Sequence, residues 1–126
     1  MTELYYPTLA DVTLLARKVG APIPDLGLIE SALARPQTRV FGDDAYPDLF
    51  TKAAALLQSM VANHAFVDGN KRMGWIVAVT FLVVNQAVTT LDVDQDRAYR
   101  LVISVADGRL RDVAATAVEL RQLFGV

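Results

Sequence analysis

Residues 75–84 read Trp75-Ile76-Val77-Ala78-Val79-Thr80-Phe81-Leu82-Val83-Val84 and form the densest apolar run of the chain. No charged residue occurs between Arg72 and Asp92, so the run has to be checked as a membrane span. A spanning helix needs ~20 mainly apolar residues, and here polar residues follow the run at once, beginning with Asn85. We therefore expect no membrane span. We expect a long helix from about Asn70 to Asn85, apolar nearly all round and buried at the centre of the domain.

A second long helix is expected just upstream. Pro47 and Asp48 suit a helix start, because proline fits the first turn and an acidic side chain favours the positive end of the helix dipole. The helix should run to about Ala62, with a core stripe that includes Ala54, Leu57 and Val61. Residues 64–69 break the helical spacing, which predicts a loop between the two long helices.

Four further helices follow from the spacing of apolar residues and from capping side chains. The first runs from Leu9 to Val19, with Thr8 as its cap and Gly20 as its end, and it should bury Leu9, Val12, Leu15, Ala16 and Val19. The others are expected over Leu28 to Ala34, from the cap Asp94 to Val105, and from Asp112 to Phe124. Residues 21–25 form a loop, and the second helix should end before Pro36.

Residues 38–46 show a different pattern. Strand-favouring side chains flank Gly42-Asp43-Asp44, which is a turn signal, so we expect a small exposed hairpin or flap. An irregular loop fits the same residues. Together these elements predict an all-α fold: one compact six-helix domain over residues 1–126, with a small β-hairpin flap.

The composition excludes several classes of site. The 126 residues include no cysteine and one histidine, His64. This excludes a disulfide framework, a thiolate zinc site, a cysteine nucleophile and a two-histidine metal site, and it fits a reducing cytoplasm. A net charge of −2 gives no basic footprint for direct nucleic-acid binding. The N-terminus shows no signal-peptide pattern.

The segment from His64 to Arg72 carries the candidate chemistry. It ends at a helix N-terminus, whose free N–H groups and partial positive charge attract anions. Gly69 has no Cβ and lets an anion approach the backbone. Lys71 and Arg72 lie in the first helical turn, where the helix dipole disfavours cations. An anionic ligand would offset that cost, so the pattern predicts a phosphate site.

Two more side chains of this segment suit group transfer. Asp68 directly precedes Gly69 of the predicted phosphate site and is suited to hold Mg²⁺ together with phosphate oxygens. His64 can accept a proton from a hydroxyl near neutral pH. Structural roles also fit each feature alone: a helix C-cap for His64, a turn for residues 68–70, and a solvated helix start for Lys71 and Arg72.

The same segment resembles the signature of the Fic/Doc superfamily, H-x-F-x-D/E/N-G/A-N-G/K-R. Residues 64–72 read His64-Ala65-Phe66-Val67-Asp68-Gly69-Asn70-Lys71-Arg72, so every constrained position agrees. Residues 27–37 and 46–54 look like the upstream half of Doc-type (death-on-curing) proteins. The length is also that of a minimal Doc-type member, so the resemblance covers essentially the whole chain.

The resemblance implies a transferase that uses ATP and Mg²⁺. Carried over by position, His64 is the general base for a target hydroxyl, Asp68 is the metal ligand, and Asn70 and Arg72 complete the catalytic set. The implied phosphate-binding residues are Gly69, Asn70, Lys71 and Arg72, of which Arg72 pairs with a nucleotide phosphate. The implied target-docking flap, which aligns the target by strand addition, is Thr38, Arg39, Val40 and Phe41.

Two positions separate phosphoryl transfer from AMP transfer. Most Fic enzymes transfer AMP, with glycine at the position of Lys71 and a second arginine at the position of Trp75. Doc-type members carry the lysine and phosphorylate a threonine of elongation factor Tu, so the resemblance favours a kinase that blocks translation. AMP transfer is the first alternative, and a catalytically idle partner-binding domain is the second. Met73 and Trp75 are assigned to core packing, with ligand contact as the alternative.

Restraint of such an enzyme should come from a separate protein. Many Fic proteins carry an inhibitory helix with the pattern S/T-x-x-x-E-G/N, which this sequence lacks, since Thr116-Ala117-Val118-Glu119 has the wrong spacing. The resemblance therefore implies a toxin–antitoxin pair in the cytoplasm. Its partner would be a Phd-like antitoxin whose disordered tail folds on this chain.

Overall fold

The computed structural model describes residues 3–22, 25–62 and 70–126. These ranges contain six α-helices, a short 3₁₀ turn and one antiparallel two-stranded hairpin. In chain order the elements are α1 Leu9–Val19, α2 Leu26–Ala34, the 3₁₀ turn Arg35–Gln37, β1 Arg39–Val40, β2 Asp43–Asp44, α3 Leu49–Ala62, α4 Asn70–Val84, α5 Gln95–Ala106 and α6 Val113–Phe124. The expected all-α fold with six helices and a small hairpin is confirmed.

Capping side chains start three helices where the sequence predicts them. At α1, Thr8 Oγ1 accepts from the Asp11 N–H at 3.2 Å and Asp11 Oδ2 accepts from the Thr8 N–H at 2.9 Å, which forms a reciprocal capping box. Asp94 and Asp112 cap α5 and α6 through their side-chain oxygens. Gly20 ends α1 in the left-handed conformation, at φ 72°.

The start of α2 differs from its prediction. The helix begins at Leu26 rather than Leu28, because Asp25 Oδ1 accepts from the Leu28 N–H at 3.0 Å and so caps an earlier start. The prediction had left Asp25 in the preceding loop. The end agrees better, since α2 stops at Ala34 and Pro36 lies in the 3₁₀ turn that follows.

The start of α3 is also fixed by a cap. Asp48 Oδ1 accepts from the Thr51 N–H at 2.9 Å, and Thr51 Oγ1 accepts from the Asp48 N–H at 3.2 Å. The first helical residue is Leu49. Pro47 therefore precedes the cap instead of lying in the first turn, which corrects the predicted start by two residues.

The central helix of the fold is α3, so the prediction that α4 lies at the centre is wrong. Most of α3 is buried, and it packs against α2, the 3₁₀ turn, α4, α5 and α6. The small side chains of residues 53–55, all alanine, let neighbouring helices approach closely from several directions. By contrast, Val83 and Val84 of α4 are 41% and 45% exposed, so uniform apolarity did not mean uniform burial.

The predicted core stripes are confirmed. In α3, Ala54, Leu57 and Val61 are buried. In α1, Val12 and Ala16 are buried, and the partly buried side chains packed against the core are Leu9, Leu15 and Val19. Of the helices that carry these stripes, α1 and α3 both pack against α4.

The C-terminal end of α4 is closed by main-chain hydrogen bonds. The Ala87 N–H donates to the Leu82 carbonyl at 2.9 Å, and the Gln86 N–H donates to the Val83 carbonyl at 3.0 Å. Gln86 adopts the left-handed conformation, at φ 61°, that this type of helix end requires. The last carbonyls of α4 are therefore partly satisfied within the chain.

The N-terminal segment is tied to the same end of α4. The Tyr5 N–H donates to Asn85 Oδ1 at 2.8 Å, and Asn85 Nδ2 donates to the Tyr5 carbonyl at 2.8 Å. The ring of Tyr6 stacks on Phe81 with centroids 5.6 Å apart. These contacts hold residues 5 and 6 against the helix.

A side-chain hydrogen bond links this segment to α1. The Tyr5 hydroxyl donates to Asp11 Oδ2. This hydrogen bond, together with the one from the Thr8 N–H, lowers the pKa of the Asp11 carboxyl below its ordinary value. The same bond to Asp11 raises the pKa of the Tyr5 hydroxyl.

In the described ranges, no helix has both the length and the apolarity needed to cross a bilayer.

Candidate functional site

The predicted site is divided between described and undescribed residues. His64, Asp68 and Gly69 lie in residues 63–69, outside the described ranges, so their predicted roles stay predictions. Asn70, Lys71 and Arg72 form the first turn of α4, where they were expected.

The first turn of α4 presents two cations to solvent. Lys71 and Arg72 are both exposed, while Asn70 is half-buried. Neither cation forms an ion pair within the described part of the chain. Both lie at the end of the helix where the dipole is positive and its backbone N–H groups lack helical partners. The described part of the turn thus combines two cationic side chains with the positive end of the helix dipole. This arrangement suits an anion.

A cavity of about 700 Å³ opens beside this turn. Its walls come from three places: the end of α1 with the residues after it, the first turn of α4 and one face of α5. The lining residues are Val19, Gly20, Ala21, Pro22, Asn70, Lys71, Arg72, Trp75, Gln95, Ala98, Tyr99, Val102 and Ile103. Ligand sites in proteins commonly measure about 300–1,000 Å³, so the cavity has the size for a nucleotide.

The chemistry of the cavity wall is asymmetric. Lys71 and Arg72 supply positive charge at one side, and none of the described lining residues is acidic. The rest of the wall is largely apolar, with the aromatic side chains of Trp75 and Tyr99 among it. A ligand with an anionic end and a flat apolar end matches this arrangement, because aromatic faces stack well on planar rings.

Trp75 contributes to the cavity as well as to packing. Its ring stacks on Phe124 at 6.1 Å between centroids with an interplanar angle of 9°, and it is half-buried. It also lines a second, smaller cavity of about 280 Å³ between α4 and residues 91–95, with Phe124 at its edge. The assignment of Trp75 to core packing is therefore incomplete, whereas Met73 is fully buried as predicted.

A glycine sets how closely α4 approaches α3. A Cβ atom on Gly74 would lie 2.6 Å from Val61 Cγ1 and 3.4 Å from Leu57 Cδ1. Real Cβ atoms do not make contacts as short as the first, so any larger residue would push the helices apart. Gly74 follows Arg72 by two residues, and its contact with α3 therefore helps to position the first turn.

The flap is present, although its turn lies one residue earlier than predicted. Arg39 pairs with Asp44 and Val40 pairs with Asp43, so the turn residues are Phe41 and Gly42. Their φ angles are 51° and 85°, the positive values that a tight two-residue hairpin turn needs. Asp43 and Asp44, predicted as turn residues, form β2.

The predicted docking residues lie on the exposed side of the molecule. Val40 is 52% exposed and Phe41 is fully exposed at the tip of the flap. Thr38 stands at the base, where its hydroxyl donates to the Arg35 carbonyl at 2.6 Å. The Ala45 N–H donates to the Thr38 carbonyl at 2.8 Å and closes the hairpin.

Charged side chains connect the flap to the helical core. Asp44 Oδ1 lies 3.3 Å from Arg39 Nε, and Asp44 Oδ2 lies 3.3 Å from Lys52 Nζ. Lys52 belongs to α3, and its side chain is only 3% exposed. Arg35 adds a second connection, because its Nε donates to the Tyr46 hydroxyl at 3.1 Å.

Sequence reasoning missed three contributions to the site. The α5 wall was recognisable as a helical stripe, but spacing gave no sign that it faces α4; its members are Gln95, Ala98, Tyr99, Val102 and Ile103. Gly74 is a single glycine within an apolar helix, which can mark a close helix contact. Lys52 gave no signal, because a lysine near a helix start is usually exposed.

The described residues include no group of three or more acidic or histidine side chains that could hold a metal ion. The predicted ligand Asp68 lies outside these residues, so the Mg²⁺ prediction is untested.

The profile of the Fic/DOC family matches residues 3–82. The sequence is also 52% identical over 98 residues to the protein named Toxin Doc from Mycolicibacterium smegmatis, and this alignment covers 78% of the present chain and 75% of that protein. Both matches include the motif segment, the flap and the first turn of α4. On this evidence, the chain belongs to the Fic/Doc family.

Proposed function

We propose that this protein is a Doc-type toxin that transfers a phosphoryl group from ATP to a hydroxyl side chain of a target protein. The proposed target is a threonine of elongation factor Tu, whose modification blocks translation. The observation that carries the proposal is the pair Lys71 and Arg72 on the rim of a nucleotide-sized cavity. The identity of 52% to a protein named Toxin Doc supports the same reading.

In this proposal the first turn of α4 binds the phosphate groups of ATP. Backbone N–H groups at Gly69 and Asn70 and the Lys71 ammonium form the cradle. The guanidinium of Arg72 pairs with a phosphate through two parallel hydrogen bonds, a geometry that lysine cannot provide. The nucleoside lies toward Trp75 and Tyr99 in the apolar part of the cavity.

The reaction needs one base and one acceptor. The target hydroxyl oxygen forms a bond to the γ-phosphorus, the bond from that phosphorus to the β–γ bridging oxygen breaks, and ADP leaves. The proton of the hydroxyl passes to His64, which acts as the general base. The flap holds the target segment in an extended form by strand addition along β1, so that the hydroxyl reaches the phosphate.

Asp68 is the residue proposed to hold Mg²⁺, together with phosphate oxygens. When bound, the ion would neutralise charge that develops on the phosphate oxygens during transfer. The positive potential of the α4 turn would stabilise negative charge on phosphate oxygens as well.

Two residues favour phosphoryl transfer over AMP transfer. Lys71 occupies the position of a motif glycine, and Trp75 occupies the position at which AMP-transferring enzymes carry a second arginine. The Trp75 ring is stacked on Phe124 and forms a cavity wall, so this position supplies an apolar surface instead of a cation. A nucleotide bound here meets positive charge only on the α4 turn, as far as the described lining shows.

The proposal is tested by incubating the protein with purified elongation factor Tu and ATP labelled at either the γ or the α phosphate. We expect label on the factor from the γ position only. Label from the α position would establish AMP transfer instead. No label from either position, with His64→Ala indistinguishable from the parent protein in growth assays, would support an idle partner-binding domain.

We also propose that a Phd-like antitoxin restrains the enzyme, since the sequence lacks the internal inhibitory pattern. Expression with and without the neighbouring upstream gene tests this: growth arrest should occur only without it.

A further inference from the structure

The flap poses a problem of stability. Each strand has two residues, and all four are exposed, so the hairpin buries almost no apolar surface of its own. A two-stranded hairpin is marginal in water even when it is longer. Its order must therefore come from contacts with the helical core.

The side chain of Lys52 makes contact with both ends of the flap. Its Nζ lies 3.4 Å from the carbonyl oxygen of Pro36, just before β1, and 3.3 Å from Asp44 Oδ2 at the end of β2. One ammonium thus joins the entry and the exit of the hairpin. It does so from α3, the central helix, whose own position is fixed by burial on nearly all sides.

The burial of Lys52 shields these contacts from water and salt. The side chain is 3% exposed, and a buried ammonium without hydrogen-bond partners would be strongly disfavoured. By comparison, Arg39, the other partner of Asp44, is 68% exposed, so water and salt weaken that pair. The flap therefore depends on Lys52 more than on its own cross-strand ion pair.

We propose that Lys52 is the positioning residue of the target-docking flap. Its ammonium fixes the distance between Pro36 and Asp44, and with it the orientation of the strand edge at Arg39 and Val40 that receives the target. This inference rests on the proposed function for the role of the flap, but the anchoring itself does not. Lys52 is not among the described residues that line the cavity.

Amide hydrogen exchange tests the anchoring without any activity. The reporter is the Ala45 N–H, which donates to the Thr38 carbonyl at the base of the hairpin. In Lys52→Met, which keeps the length and removes the charge, we expect this amide to exchange about tenfold faster or more, because hydrogen bonds to a charged group are lost. An unchanged exchange rate in a folded variant would overturn the proposal.

A second pair of variants tests the anchoring role even where Lys52→Met does not fold. Asp44→Asn removes the carboxylate partner at an exposed position, and Asp43→Asn makes the same change at its neighbour, which has no ion pair in the described ranges. After correction for intrinsic rates, Asp44→Asn should accelerate exchange at Ala45 and Asp43→Asn should not. Equal effects of the two substitutions would contradict the anchoring role.

Transfer kinetics then test the positioning role. Lys52→Met should raise KM for the protein target by about tenfold, in line with a loosened docking edge, while the dissociation constant for ATP stays unchanged. A faster Ala45 exchange with an unchanged target KM would show that the anchor does not position the target. If the parent protein transfers nothing, the proposed function fails, and the exchange data still decide whether Lys52 holds the flap.

Discussion

The two ends of α4 are built in opposite ways. At the C-terminal end, Asn85 ties the helix to the N-terminal segment, and main-chain bonds to Leu82 and Val83 close the last turn. At the N-terminal end, Lys71 and Arg72 point into solvent beside an open cavity. The C-terminal end is satisfied by the chain itself, whereas the two cations at the N-terminal end have no ion-pair partner in the described part of the chain and are available to a ligand.

The comparison separates the part of α4 that stabilises the fold from the part that can bind a ligand. Between the two ends, Gly74 and its neighbours pack against α3 so closely that the helix has little freedom to shift. The body of α4 can therefore hold its first turn in place although that turn is electrostatically unfavourable. Substitutions at the N-terminal end of α4 should change activity. Substitutions in the body of the helix or at its C-terminal end should change stability.

The largest effect is expected at His64, which precedes the N-terminal end of α4 in the sequence. His64→Ala should lower phosphoryl transfer by about 10²–10⁴-fold, because a general base is lost. The free energy of unfolding should change by less than about 0.5 kcal/mol, because the sequence predicts that His64 lies in a loop. A large loss of stability with partial activity would instead support a helix-capping role for this histidine.

A smaller effect is expected for the exposed guanidinium of the first turn. Arg72→Ala should raise the dissociation constant for ATP by roughly ten- to hundredfold, since a charge-assisted hydrogen-bond pair to phosphate is lost. Arg100→Ala is the matched control, because Arg100 is an exposed arginine on α5 outside the cavity lining. Isothermal titration gives both constants, and equal losses in the two variants would remove the case for a specific contact.

In the body of the helix the expected effect moves from binding to stability. Gly74→Ala should lower the free energy of unfolding by about 1–3 kcal/mol, because the new Cβ overlaps Val61 and the core is overpacked. Gly27→Ala in α2 is the control: its Cβ would approach only the capping oxygen Asp25 Oδ1, at 3.3 Å, a much milder contact than the 2.6 Å at Gly74. Urea unfolding curves of both variants decide, and a neutral Gly74→Ala would show that α3 and α4 have room to separate.

The smallest effect is expected for the N-terminal segment of the chain, which contacts the C-terminal end of α4. The Tyr5 hydroxyl lowers the pKa of Asp11 below its ordinary value of 3.8, so the bond stabilises the fold above that pH and the contribution is lost as the pH falls through the lowered pKa. Tyr5→Phe should therefore reduce Tm at pH 7 and converge with the parent protein in strong acid. Tyr99→Phe, an exposed tyrosine elsewhere, should show no such convergence; a pH-independent gap for Tyr5→Phe would contradict the assignment.

Much of the fold could be predicted from local signals. Thr8, Asp94 and Asp112 are capping residues followed by apolar periodicity, and each starts a helix where expected. The errors arose at residues that could belong either to a turn or to the neighbouring helix or strand. Asp25 was read as part of a proline-containing loop, although its carboxylate starts α2. Residues 42–44 were read as one turn, although only the conformation at Phe41 and Gly42 reveals which residues form it.

The less predictable features depend on tertiary contacts. The apolar sequence of α4 suggested the most buried helix, but burial depends on how many neighbours can approach, and the alanines of α3 allow more of them. The burial of Lys52 could not be predicted, because its two oxygen partners belong to the 3₁₀ turn and to β2, outside its own helix. The first turn of α4 was predicted from chemistry, while the α5 wall of the cavity required the structure.

Phosphoryl transfer is tested most directly by the intact mass of elongation factor Tu after incubation with this protein, ATP and Mg²⁺. We expect the factor to gain the mass of one phosphoryl group at a threonine, and the His64→Ala variant to give no gain. A gain equal to an AMP group would contradict phosphoryl transfer. An unmodified factor, in the presence of a protein that binds ATP, would contradict the proposed target.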